Sequence, residues 1–161
     1  MWTDLEDRFP QYHLLNNGFG GSHFSDLIHY ADELILRFNP TQVFIYEGDN
    51  DLAAGRSAAE IKRDARKIVE IIHMTNKDCE VVLISPKPSL ARWHLKEKYQ
   101  ELNKALREFA DREPAVKFAD VWTPMLALDG NVKNDLFIDD GLHMNQKGYD
   151  IWYEVLKPYL R

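Results

Sequence analysis

Short apolar runs alternate with long amphipathic stretches over most of this chain, and that alternation restricts it to an α/β architecture. Val43-Phe44-Ile45-Tyr46, Cys79 to Ile84 and Val116-Lys117-Phe118-Ala119 read as buried parallel strands, since they are apolar nearly throughout rather than at every second residue. His13-Leu14-Leu15-Asn16 reads as a further short strand ahead of them. Between these runs the apolar spacing turns helical. A helix is expected from about Ser22 to Phe38, with Leu27, Tyr30, Leu34 and Leu36 on its buried side, stopped by Asn39-Pro40. Ser57-Ala58-Ala59-Glu60 is a capping box that opens a second helix, marked by Ile61, Ala65, Ile68 and Ile72. Leu95, Tyr99, Leu102, Leu106 and Phe109 define a third, and Gln146 to Leu156 a last one, with Pro158 beyond its end. The order β-α-β-α-β-α-β-loop-α predicts a parallel sheet with helices on both faces.

The 161 residues fit a single domain, residues 1–161, large enough to bury a core. A net charge of -6 argues against nucleic acid as a partner, because such binding rests on basic surface. Cys79 is the single cysteine and has no internal partner, which suits a reducing compartment. No apolar run approaches the roughly 20 residues of a membrane span, and Met1-Trp2-Thr3-Asp4 does not open a signal peptide. The expectation is a cytoplasmic protein, with a signal ahead of Met1 left open. No Walker lysine motif, Gly-x-Gly-x-x-Gly or zinc-spaced Cys/His cluster is present, so neither cofactor nor metal is expected.

Three loops carry the chemistry, and each follows a strand or precedes a helix at the end of the sheet where ligands bind in such folds. Asp140-Gly141-Leu142-His143 puts a carboxylate three residues before a histidine. Asp140 can turn back to accept the imidazole Nδ1–H, fixing the tautomer and leaving Nε2 of His143 free as a base. Asn17-Gly18-Phe19-Gly20-Gly21-Ser22 allows close backbone approach to an anion, or is simply a tight βα turn. Gly48-Asp49-Asn50-Asp51 can aim an asparagine amide at an oxyanion, or is an Asx-type turn. The carboxylates of Glu47, Asp49 and Asp51 in that loop make a divalent cation conceivable without further ligand spacing to support it. His13, His29, His73 and His94 read as ordinary, and His23 as a surface residue near the glycine turn. Trp93, Trp122 and Trp152 are expected to pack in the core or line a pocket.

Together the three loops resemble the SGNH hydrolases, also called the GDSL lipase/esterase family. The resemblance runs from about Trp2 to the C-terminus. It implies a flavodoxin-like three-layer α/β/α fold with a parallel sheet. It also implies a serine-type hydrolase of a small acyl or acetyl ester. Asn16 to Gly21 matches the family's second block, which implies Gly21 N–H as an oxyanion donor. Gly48-Asp49-Asn50-Asp51 matches the third, Gly-x-Asn-Asp, which implies the Asn50 amide as the other donor. Asp140 and His143 match the fifth, Asp-x-x-His, as orienter and base.

The family's first block, a Gly-Asp-Ser or Gly-Ser-Ser segment ending the first strand, has no match here. Its serine is the nucleophile. Trp2 and Phe9-Pro10 resemble the stretch just after that block, so the expectation is an N-terminally incomplete domain whose first strand is missing and whose serine lies outside the chain. No nucleophile is identified within it; Ser22, Ser25 and Ser85 have no family precedent. A missing central strand would leave two neighbours with unpaired backbone groups. Two alternatives follow: a catalytically inactive binding module, or a partner that accepts a strand and self-associates through exposed sheet edges. The pocket should be rimmed by the Ser85 to Trp93 and Trp122 to Phe137 stretches.

Overall fold

The computed structural model describes residues 2–161. Three parallel strands, β1 (Gln42–Ile45), β2 (Glu80–Ile84) and β3 (Val116–Ala119), form one sheet in that order. The register pairs Val43 with Val81 and Leu83 with Phe118. The central strand, β2, is buried at every residue. Its side chains alternate between two cores, as the period of a strand requires. Val81 and Leu83 join the core made with the long helices α5 (Ala58–Thr75) and α6 (Lys96–Ala110), whereas Val82 and Ile84 join the core made with α7 (Gln146–Leu156). Helices thus cover both faces of the sheet, the three-layer arrangement expected.

Both long helices follow their sequence signals. Ser57 Oγ and the Glu60 carboxylate cap α5 reciprocally, and Ile61, Ala65 and Ile68 are wholly buried along its inner stripe. Tyr99, Leu102 and Leu106 do the same for α6. Asn145 caps α7 by accepting the N–H groups of Lys147 and Gly148. The short helix α1 (Leu5–Arg8) lies against α7, where Trp2 stacks on Tyr149 at 5.2 Å, Phe9 on Tyr153 at 4.9 Å, and Arg8 pairs with Asp150 at 2.9 Å.

Three expectations need correction. His13 to Asn16 is not a strand. A strand exists only through a ladder with a neighbour, and β1 has one sheet neighbour, β2. The helix expected over Ser22 to Phe38 is broken into α2 (Phe24–His29), α3 (Ala31–Leu34) and a 3-10 turn, Leu36–Phe38. Tyr30 and Ile35 leave helical geometry at the two joints, and Asn39 ends the segment at φ 44°. Phe24, Ala31 and Ile35 all stay in the core across these bends. Finally, the Gly48-Asp49-Asn50-Asp51 stretch expected as a loop is partly helical, because Gly48 opens a short helix, α4 (Asp49–Ala53). No helix among the described residues is long and apolar enough to cross a membrane.

Candidate active site

The carboxyl ends of β1 and β2 gather the three motif loops. Gly48, directly beyond β1, adopts φ 101° and is wedged so closely that a Cβ would stand 2.9 Å from Leu102 Cδ2 and 3.2 Å from Pro86 Cγ. That crowding and backbone sign exclude any other residue without strain. It turns the chain into α4, which presents Asn50 on its first turn. The Asn50 amide donates from Nδ2 to the Ser22 carbonyl at 3.0 Å. The glycine loop is thereby tied to the loop after β1, and Ser22 Oγ adds a second tie by donating to Glu47 at 2.7 Å. Asn16 and Asn17 brace the loop's near end through their side chains, onto the Trp2 and Leu34 carbonyls. Gly21 sits at φ 80° with open space beside its Cα. Its N–H has no acceptor among the described residues.

Asp140 and His143 pair as their spacing implied. One Asp140 oxygen accepts the backbone N–H groups of Leu142 (2.8 Å) and His143 (2.9 Å), and the other lies 2.5 Å from His143 Nδ1. The His143 hydrogen bonds hold the Asp140 carboxyl down to about 2, so it is a carboxylate throughout the working range. It can only accept, hence Nδ1 carries a proton, and in the neutral ring Nε2 is the free acceptor. The imidazole is two-thirds exposed. Its loop is fastened from the other side: Ala91 N–H donates to the Gly141 carbonyl at 3.0 Å, and Lys87 Nζ to the Leu142 carbonyl at 2.8 Å.

The segment after β2 therefore holds the site together, and it gave little sequence signal beyond a proline-rich loop after a strand. Arg92 bridges Asp49 (Nη1, 2.5 Å) and Asn50 Oδ1 (Nη2, 3.0 Å). Asp49, itself buried, also accepts from Tyr46 Oη at 2.9 Å and from Tyr99 Oη. Apart from the Tyr46 contact, these join residues 42 to 50 positions apart, which no local spacing reveals. The carboxylates of the acidic loop are engaged by protein groups: Glu47 faces Ser22, Asp49 faces Arg92, Lys87 and two tyrosines, and Asp51 faces Arg56 at 2.7 Å. No group of three metal-ligating side chains occurs among the described residues. Burial pushes the Glu47 carboxyl up to about 7, against the lowering effect of the Ser22 hydroxyl and with the help of the neighbouring carboxylates.

None of the chain's five serines hydrogen-bonds His143 among the described residues. Ser85 is wholly buried and accepts the N–H groups of Val121 and Trp122. Ser22 is committed to Glu47 and the Phe19 carbonyl, Ser57 caps α5, Ser89 accepts from Arg92 N–H, and Ser25 lies exposed on α2. His23, expected at the surface, is half-buried with Nδ1 3.7 Å from Asp51. Trp122 and Trp152 are buried. Trp93 stacks on Trp122 and lines an open groove of about 580 Å³ between the Leu90–Trp93 and Ala127–Asp135 stretches. The groove adjoins the loop that carries His143, since a Cβ on Gly141 would meet Leu90 Cβ at 3.1 Å.

Comparison with known families gives a match to the "GDSL-like Lipase/Acylhydrolase family" over residues 1–151. Among solved structures, a Streptococcus pneumonia protein provisionally described as a platelet activating factor superposes with a TM-score of 0.89 at 23% identity, covering 99% of this chain and 78% of that one. A GDSL-like lipase from Bacteroides thetaiotaomicron gives 0.80 at 21% identity, covering 95% and 78%. A serine-to-alanine mutant of an acetyl esterase, solved with an acetate ion, gives 0.75 at 21% identity, covering 88% and 68%. No curated protein matches the chain. At these identities the superpositions establish the shared fold.

Proposed function

Because the chain belongs to the GDSL-like lipase/acylhydrolase family, we propose that it supplies the base, its orienter and the oxyanion donors of a serine-type ester hydrolase whose nucleophilic serine lies outside this chain. The observation that carries this reading is the Asp140–His143 pair, with a ring two-thirds exposed and no partner for Nε2 among the described residues. It is joined through residues 87–92 to a loop pair offering two unused donors, Gly21 N–H and the second Asn50 amide hydrogen.

The reaction then runs in two halves. A serine hydroxyl within hydrogen-bond reach of His143 Nε2 attacks the ester carbonyl carbon, and its proton passes to Nε2. The carbonyl oxygen becomes an oxyanion between Gly21 N–H and Asn50 Nδ2–H, donors whose loss individually costs about 10²–10³ in kcat in related sites. The Asp140 carboxylate stabilises the imidazolium. Collapse expels the alkoxide, which takes the proton from Nε2 and leaves as the alcohol, with the acyl group on the serine. Water next gives its proton to Nε2 and attacks the acyl carbon. The acid leaves and the serine recovers its hydrogen. The substrate is a small-molecule ester, with the Leu90–Trp93 groove available to one of its arms.

The test is p-nitrophenyl acetate hydrolysis, with serine-reactive phosphonate labelling read by intact mass. The chain is compared with a His143→Ala variant and with a version carrying a serine-ended strand fused ahead of residue 1. The expected result is little turnover and no label for the chain, and turnover that depends on His143 for the fusion. A fusion that folds and still neither turns over nor labels overturns the reading.

A second reading, a strand-accepting assembly partner, is favoured by the outer edge of β1. Its sequence Gln42-Val43-Phe44-Ile45 has no charge or proline to block pairing, and it has a single sheet neighbour. Among the described residues, buried Trp152 Nε1 and Trp2 Nε1 also lack acceptors, and Trp152 packs edge-on against Tyr46 just beyond β1. Size-exclusion chromatography separates this reading: a concentration-dependent dimer abolished by Phe44→Pro supports it, and a monomer at all concentrations rejects self-association.

A further inference from the structure

Asp49 is where the base loop and the oxyanion loop meet, and it holds two cations where one would neutralise it. Arg92 Nη1 donates to the carboxylate at 2.5 Å and Lys87 Nζ lies 3.5 Å away, with the hydroxyls of Tyr46 and Tyr99 completing the shell. All of this is buried or half-buried, and Lys87 is as enclosed as its partner. Burial by itself would raise the Asp49 carboxyl, but Lys87, Tyr99 and Arg92 outweigh it and hold the group below its usual range. Two buried cations on one carboxylate are costly to desolvate. Each, however, also donates a directional hydrogen bond away from Asp49. Arg92 Nη2 donates to Asn50 Oδ1 at 3.0 Å, and Lys87 Nζ donates to the Leu142 carbonyl at 2.8 Å, one residue before His143.

We infer that Lys87 and Arg92, anchored on Asp49, are positioning residues that set the two halves of the site in register: Arg92 fixes which way the Asn50 amide faces, and Lys87 fixes the backbone that carries His143. The inference rests on the roles given above to Asn50 and His143.

The Arg92 half follows from the symmetry of an amide. An asparagine side chain has nearly the same shape after a half-turn that exchanges oxygen and nitrogen. Here the Arg92 donor at one end and the Ser22 carbonyl at the other are satisfied by one orientation only. The reversed amide would set N–H against guanidinium and oxygen against oxygen. It would also turn an acceptor toward the oxyanion. Lysine cannot substitute, because the guanidinium fork reaches Asp49 and Asn50 with separate nitrogens. In the Lys87 half, an ammonium links a carbonyl of the exposed base loop to the buried carboxylate, so the loop takes its place from the core rather than from solvent.

The test reads position without chemistry. Side-chain and backbone amide exchange are followed by NMR in the wild-type chain, Arg92→Met, Arg92→Lys and Lys87→Met, with thermal unfolding alongside. Arg92→Met is expected to speed solvent exchange of the Asn50 side-chain amide by about tenfold, the loss of one good hydrogen bond, while the Leu142 and His143 amides are unchanged. Arg92→Lys, which keeps the charge beside Asp49, is expected to behave like Arg92→Met. Lys87→Met is expected to do the reverse, speeding Leu142 and His143 by about tenfold and sparing Asn50. An Asn50 amide unchanged in Arg92→Met or restored in Arg92→Lys overturns the inference, as does an unchanged base loop in Lys87→Met. Failure of the serine fusion to hydrolyse esters would instead count against the proposed function, since these exchange rates do not depend on turnover.

Discussion

His143 Nδ1 stands 2.5 Å from the Asp140 carboxylate, and the same carboxylate accepts the His143 and Leu142 backbone N–H groups through its other oxygen. The acid is thus bound at both oxygens by the short turn it orients, and the pair is a local device built within four residues. Replacing Asp140 by Asn keeps the shape but allows the amide NH₂ to face Nδ1, which selects the wrong tautomer. In the serine-strand fusion this change is expected to lower kcat by about 10²-fold or more, with the unfolding midpoint nearly unchanged because the pair is exposed. Steady-state kinetics on p-nitrophenyl acetate checks it; an unchanged kcat would remove Asp140 from the mechanism.

Asn50→Ala in the same fusion should lower kcat by about 10²–10³-fold with little change in KM, because an oxyanion donor acts on charge present only in the transition state. A rise in KM at constant kcat would mean that Asn50 binds the substrate rather than the oxyanion.

Glu47 gives a pH dependence of stability. Its carboxyl titrates near 4.5 when unperturbed and is raised to about 7 in the fold, chiefly by burial. The native state therefore holds an extra proton between those values. The stability of the neutral form is fully present below pH 4.5 and is lost as pH rises through 7, by at most about 3 kcal/mol. Glu47→Gln still accepts the Ser22 hydroxyl but does not ionise. At pH 8 it should be more stable than the wild type, and the difference should vanish near pH 4.5. Urea unfolding across this range decides it, and a difference independent of pH would contradict the assignment.

Gly48→Ala should destabilise the chain by about 2 kcal/mol or more, from a positive φ and overpacking together. The added Cβ would press on Leu102 Cδ2 at 2.9 Å and on Pro86. Denaturant unfolding measures this, with Gly55→Ala as the control: it too has a positive φ, 86°, but open space around it. Equal losses at the two glycines would show that packing contributes nothing at Gly48.

Strands β2 and β3 were legible because a strand covered on both faces is apolar nearly throughout, with Glu80 and Lys117 as the charged exceptions. Helix α5 was legible through its capping box, and α5, α6 and α7 through an apolar spacing that acts within a few residues. His13 to Asn16 misled because its apolar character is that of a strand, whereas strand structure depends on a neighbour supplied from elsewhere. The Ser22 to Phe38 helix misled because the chain bends at Tyr30 and Ile35, and across those bends Phe24, Ala31 and Ile35 all reach the core. In the site, Asp140 and His143 could be paired from the sequence, being three residues apart. Gly21 and Asn50 were named by the resemblance of their loops.

The sequence by itself determined the α/β alternation, the amphipathic helices and the Asp140–His143 turn, since each is governed by interactions among near neighbours in the chain. Only the tertiary structure decided that Asn50 would reach Ser22, that Arg92 would grip Asp49 and Asn50 together, and that Lys87 would hold the loop carrying His143. Those contacts join segments 28 to 55 residues apart, and their energies arise from burial and charge pairing that exist only once the strands have brought the loops to one end of the sheet.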